Sequence, residues 1–186
     1  VIRLLATRNY GFTRDEISQA TGIPFGGGLT AMLASLEESD FLMRYTPYGK
    51  GVTERYKLTD NFCLFWIRYV DRYQREAAFM NDNCTSGIMK SWRGVAFELV
   101  CWQHINQIKR ALEIGGVRTS VSAWNLKGTE SSRGAQVDMV ILRDDNIVNL
   151  CEMKFATAPY SIDKEEELKM IHRVEALSST LPERKK

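Results

Sequence analysis

Histidine is nearly missing from this chain: His104 and His172 are the only two. That scarcity argues against a histidine-built metal centre, which needs two or three imidazoles. Cysteine is sparse and badly spaced for metal. Cys63, Cys84, Cys101 and Cys151 show no CxxC pair, and three of them lie in apolar runs. Reduced, buried thiols of a cytoplasmic protein are expected, rather than a zinc ribbon or a disulfide framework. Long apolar runs are missing too. The longest aromatic-rich stretch, Phe62 to Val70, contains Arg68 and falls well short of the ~20 residues a membrane span needs. There is no signal-peptide pattern and no GxxxxGK[ST], so neither a membrane partner nor an ATP site is expected. A strong charge of either sign is also absent, because 25 Lys and Arg against 23 Asp and Glu leave a net +2. That is too little to argue for nucleic acid by itself. The chain opens at Val1, without an initiator Met, inside what reads as a helix, and is expected to be a fragment of something longer.

What is present is an ordinary globular composition, 44% hydrophobic and 26% charged over 186 residues, enough for one large domain or two small ones. Residues 1–60 have their own grammar. A short apolar helix, Val1 to Thr7, is followed by Thr13-Arg14-Asp15-Glu16, a capping box that opens a helix to about Thr21. Gly22-Ile23-Pro24 makes a turn, and Gly26-Gly27-Gly28 leads into a third helix, Leu29 to Glu38. There Leu29, Met32, Leu33 and Leu36 form one apolar face. Leu42 to Thr46 and Val52 to Leu58, around Pro47-Tyr48-Gly49-Lys50-Gly51, read as a hairpin. Three helices followed by a hairpin is the winged helix-turn-helix plan. Residues 61–86 then read as a connecting helix, Phe62 to about Phe79, and a polar linker. The helix carries aromatics at 62, 65, 66, 69 and 73, most of them expected in the core between domains. From 87 onward come a helix, about Ile88 to Leu112, a strand from Val117 to Trp124, a polar loop, two strands across 134–155, and a charge-rich helix from Ser161-Ile162-Asp163 to about Leu177. Trp124 is expected to be buried rather than to stack on a base. The fold class is α+β.

The two strands of 134–155 raise the chemical question, since Asp138, Glu152 and Lys154 stand where hydrocarbon is expected. A carboxylate in a strand core costs several kcal/mol unless it is paired or holds a metal. Asp138 and Glu152 are symmetric about position 145, and Asp144-Asp145-Asn146 suits a hairpin turn. An antiparallel register on that centre sets Asp138 opposite Glu152 and Gln136 opposite Lys154. Side chains alternate with period two, so all four would share one face with Val140, Leu142, Val148 and Leu150. Val137, Met139, Ile141, Cys151, Met153 and Phe155 would fill the other. Two opposed acids repel unless a cation sits between them, and Mg²⁺ or Mn²⁺ with oxygen ligands resolves the conflict. A buried Glu–Lys ion pair, with Asp138 partly solvated, accounts for the same pattern.

Asp138, a step of 14 residues to Glu152-x-Lys154, and a preceding helix bearing Glu98 together resemble the PD-(D/E)XK nuclease superfamily. Over nearly its full length the chain resembles the C-terminal half of prokaryotic AAA-type ATPases of archaea and Bacteroides-like bacteria. The stretches that carry this are Tyr56 to Phe62, Trp92 to Glu98, Gly134 to Asp138 and Cys151 to Phe155. The resemblance implies a winged helix (1–60), a connector (61–86) and a restriction-endonuclease-like α/β/α domain with a mixed sheet (87–186). It implies Asp138 and Glu152 as metal ligands, Lys154 as the group that positions or deprotonates the attacking water, Glu98 as an assisting acid and Gln136 as a secondary contact. The reaction would be phosphodiester hydrolysis of DNA. The family's last core strand has no counterpart before Lys186. A homo-oligomer could cover the edge this leaves, and the ATPase module itself would be a missing partner.

As a DNA reader the first domain is lukewarm. Its third helix carries no Lys or Arg and ends Glu37-Glu38-Ser39-Asp40, whereas the hairpin offers Arg44, Lys50, Arg55 and Lys57 to phosphates. A winged helix used only for packing, a non-catalytic nucleic-acid- or protein-binding module, and a transcriptional regulator are the competing expectations.

Overall fold

In the computed structural model of this protein, residues 1–49, 52–72, 86–128 and 133–181 are described. Lys50, Cys84 and most of the expected 81–86 linker lie outside them. The described chain is α+β, with two antiparallel three-stranded sheets. It divides into two compact units, Val1–Thr46 with Thr53–Leu99, and Pro47–Val52 with Val100–Lys186.

The first unit runs α1 (Ile2–Leu5), β1 (Phe12–Thr13), α2 (Arg14–Thr21), α3 (Gly27–Glu38), β2 (Leu42–Tyr45), β3 (Arg55–Leu58) and α4 (Asn61–Phe65). Its sheet has the order β1-β3-β2. The capping box forms as read: the Thr13 hydroxyl accepts from Glu16 N at 3.1 Å, and the Glu16 carboxylate accepts from Thr13 N at 2.7 Å. Gly22, at φ 71°, ends α2 in the left-handed conformation that glycine adopts without strain. On α3, Leu29 and Leu33 are fully buried and Leu36 packs against the same core, whereas Met32 is 41% exposed. Successive residues rotate by ~100°, which leaves position 32 at the rim of the stripe. Leu5, Phe12, Ile17, Leu42, Tyr56 and Leu58 complete the core, with Leu64 of α4.

The expected helix from Phe62 does not run as a regular α-helix. After Phe65 it widens into a π-helical turn, Trp66–Val70. Phe65 and Tyr69 pack on Trp92, with ring centroids 5.2 and 5.8 Å away, while Phe62 stays exposed. Helix α5 (Gly87–Gln103) carries Trp92 and brings Leu99 into the first core. It breaks at His104 before α6 (Ile105–Ala111), so the expected single helix to Leu112 is two.

The second sheet is β4 (Thr119–Leu126), β5 (Ala135–Arg143) and β6 (Val148–Cys151), in that order, followed by α7 (Lys164–Ser178). The mixed sheet implied by the resemblance is, among the described residues, antiparallel throughout. Asp163 caps α7 by accepting from Glu166 N at 2.8 Å. Trp124 is buried, as expected, in an apolar cluster with Ala135, Val137, Val140, Leu177 and Leu181. Between β2 and β3, Tyr48 groups with this unit through a Tyr48 N–H bond to the Ala123 carbonyl at 2.9 Å. Among the described residues no helix is long and apolar enough to cross a membrane.

Glu16 supplies a pH signature. Burial raises its pKa, but the Thr13 amide, the Arg8 hydrogen bond and the charges of Arg55 and Arg8 outweigh that and set it below its ordinary value. A depressed carboxylate stabilises the fold above its unfolded pKa and loses that contribution as pH falls through the folded one. Glu16→Gln is therefore expected to cost about 1 kcal/mol at neutral pH, the size of a cap at an exposed site, and nearly nothing at about pH 2. Thermal midpoints across that range check it. A constant gap between variant and native protein would show that the carboxylate charge is irrelevant.

Candidate functional site

The register read from the sequence is the one that forms. Met139 pairs with Cys151, Val140 with Leu150, Ile141 with Asn149 and Leu142 with Val148, all centred on 145. Asn146 turns the chain at φ 67°. The ladder nevertheless stops at Cys151, so Glu152 and Lys154 lie just beyond β6 rather than inside a strand reaching Phe155. One cause is visible. The Met153 amide donates to the Asp138 carboxylate at 3.0 Å, a side chain taking an amide that a strand would hand to a main-chain carbonyl.

A second departure concerns faces. From Ser122 to Trp124 the β4 strand advances two residues while its partners on β5, Val140 to Val137, span three. This β-bulge encloses Asp138 and Met139. It puts Ala135 and Val137 into the same apolar cluster as Val140, Leu142, Val148 and Leu150, where strict alternation separates them. Gln136 correspondingly turns away, with its side chain exposed. The four polar residues expected on one face are therefore not one set. Bulges re-aim side chains beside functional sites, and this one falls on the acid of interest.

Glu152 is the centre of what does assemble. Its Oε1 accepts from Lys154 Nζ at 2.6 Å and from Arg173 Nη2 at 3.2 Å. Its Oε2 is buried and, among the described residues, has no hydrogen-bond partner. Glu166, from the first turn of α7, approaches the same two cations, at 3.6 Å from Lys154 and 3.4 Å from Arg173. Arg173 Nε also donates to the Gln136 carbonyl at 3.0 Å. For Lys154, burial works against the charged form, but the Glu152 hydrogen bond and the charges of Glu152 and Glu166 prevail and raise its pKa. It stands as an ammonium donor. Among the described residues, Glu152 and Glu166 thus share Lys154 and Arg173.

Sequence reasoning missed Arg173 and Glu166. Within a charge-rich helix no local pattern says which turn of α7 meets the sheet. Glu98, Arg55 and Arg44 belong to the first unit. Glu98 of α5 is bonded to Lys57 of β3 at 2.7 Å within the first unit. Arg55 donates to the Gly11 carbonyl and pairs with Glu16, at 3.1 and 3.2 Å. Arg44 stands between Glu37 and Glu54, at 3.4 and 3.7 Å.

The donor set suits a hard divalent cation more than zinc. Among the described residues no three Asp, Glu, His or Cys side chains gather into a protein cage. Mg²⁺ needs only one or two carboxylates, with water and substrate oxygens filling its remaining positions, and the bare Glu152 Oε2 is the atom such an ion would satisfy. Compared with protein-family models, with curated proteins and with solved structures, the chain matches none.

Proposed function

We propose that the second unit is a metal-dependent nuclease-type domain of the PD-(D/E)XK kind, acting on phosphodiesters of DNA. The observation that carries the reading is the split Glu152 carboxylate, one oxygen bonded to two cations and the other buried without a partner among the described residues, just beyond the strand next to the Asp138 bulge. A buried acceptor left open costs about 1–3 kcal/mol, which a purely structural network avoids by closing. Asp138 and Glu152 would hold the ion. Bound Mg²⁺ or Mn²⁺ would polarise the phosphoryl oxygen and make a coordinated water more acidic. Lys154 would position or deprotonate the attacking water, or offset charge on the phosphoryl group.

We read the first unit as a winged helix. Its helix and strand order and its β1-β3-β2 sheet support that reading. Its cationic side chains favour packing over phosphate contact, because Arg44, Arg55 and Lys57 are all engaged by carboxylates of the same unit. An origin as the C-terminal part of an AAA-type ATPase, with that module as its partner, completes the proposal. The competing reading is a non-catalytic module. It is favoured by one observation: Lys154 and Arg173 already neutralise Glu152.

Titration calorimetry separates the two. Mn²⁺ is expected to bind the native protein and to lose about 100-fold or more in affinity with Asp138→Asn, the upper end of what loss of a metal-site partner costs. Absence of Mn²⁺ heat in the native protein would establish the structural network instead.

A further inference from the structure

Beyond β6 the sheet no longer holds the chain, yet Glu152 must be fixed for its carboxylate to present one oxygen. Lys154 bonds Glu152 Oε1 at 2.6 Å from two residues away, and a second side chain, from α7, ties that oxygen to the rest of the unit. One Arg173 guanidinium bonds the Gln136 carbonyl at 3.0 Å, Glu152 Oε1 at 3.2 Å and Glu166 Oε1 at 3.4 Å. Its first partner lies at the end of β5, next to the bulge that contains Asp138. Its second lies at the exit of β6. The side chain keeps 18% of its surface exposed, so these bonds form largely out of water. A planar fork of five donors reaches three acceptors at fixed angles, which a lysine ammonium cannot do.

We infer that Arg173 is the positioning residue of a divalent-cation site at Asp138 and Glu152, occupying Glu152 Oε1 so that Oε2 faces the ion and tying the two strand ends to α7. Glu166 balances the guanidinium, so the clamp adds little net positive charge where a cation must enter. This inference rests on the cation reading of the same acids, and it carries a sign that a bystander charge does not. An arginine acting only through its charge repels a divalent ion, and removing it tightens binding. An arginine acting through geometry loses affinity when removed, by about 10- to 100-fold for groups that orient metal ligands.

The test is Mn²⁺ titration of the native protein, Arg173→Gln, Arg173→Lys and Asp138→Asn. It is run at low temperature, with near-UV circular dichroism of the four tryptophans confirming the fold. The expected result is about 10- to 100-fold weaker binding in Arg173→Gln, with Arg173→Lys also weaker than native because it keeps charge without the fork. Native or tighter affinity in Arg173→Gln overturns the inference while leaving the cation site standing. Full recovery in Arg173→Lys shows that charge suffices and also overturns it. If Arg173→Gln does not fold, Arg173→Lys decides alone. No Mn²⁺ binding by the native protein removes the site and the positioning role together, an outcome distinct from the others.

Discussion

Glu98→Gln is expected to destabilise the first unit by about 3 kcal/mol, the low end of the cost of breaking a buried ion pair. Lys57 Nζ lies 2.7 Å from Glu98 Oε1, and the two side chains keep 9% and 23% of their surface. The glutamine retains the shape and an acceptor but withdraws the charge, which strands an ammonium whose side chain is only 9% exposed. The value sits low in the range because Glu98 is not fully enclosed and water can relax around it. Denaturant unfolding of the native protein, Glu98→Gln and Lys57→Met/Glu98→Leu measures the effect. The double variant should recover most of the loss, since an apolar pair of similar volume avoids the desolvation of both charges.

Gly11→Ala should be at least as damaging, at about 3–5 kcal/mol. Gly11 adopts φ 72° where β1 begins, and a Cβ built there would strike the Tyr56 carbonyl oxygen and lie 2.9 Å from the Tyr56 carbonyl carbon. Both are main-chain atoms of β3, so no rotamer change relieves the contact. The left-handed conformation alone costs an L-residue about 1–2 kcal/mol, and overpacking adds about 1–3. Relief requires β1 to move off β3, which breaks the Phe12–Tyr56 pairing and exposes Phe12, now 5% accessible. Gly28→Ala makes the contrast. Nothing lies within 4 Å of a Cβ at that position in α3, so alanine should raise stability by about 0.5 kcal/mol. Urea midpoints compare the two. A Gly11→Ala protein within about 1 kcal/mol of native would mean that β1 is held too loosely to feel the methyl group.

How much of this was legible beforehand depends on range. The capping box of Thr13 and Glu16 was readable because both partners lie within one turn, and a local hydrogen bond needs no tertiary frame. The β5–β6 register was readable for a related reason. A short turn at 144–146 leaves few ways to pair its arms. The bulge was not readable, because period-two reasoning has no term for an inserted residue, and it moved Gln136 off the face assigned to it. The exit of the chain from β6 after Cys151 was hidden likewise, since Met153 is as apolar as a strand residue and only its bond to Asp138 shows the ladder ending.

By itself the sequence determined the α+β class, the helix caps, the hairpin centred on 145 and the two acids that a cation would need. All of these follow from periodicity and from contacts within a few residues. Only the tertiary structure decided which charges meet. Lys57 finds Glu98 across 41 residues, and Arg173 finds Glu152 across 21. The reason is physical. A charged side chain on a helix is equally content in water or against an opposite charge, and the free-energy difference between those fates is set by burial that the fold creates. Sequence names the groups capable of chemistry, and packing selects the ones removed from water and aimed at one another.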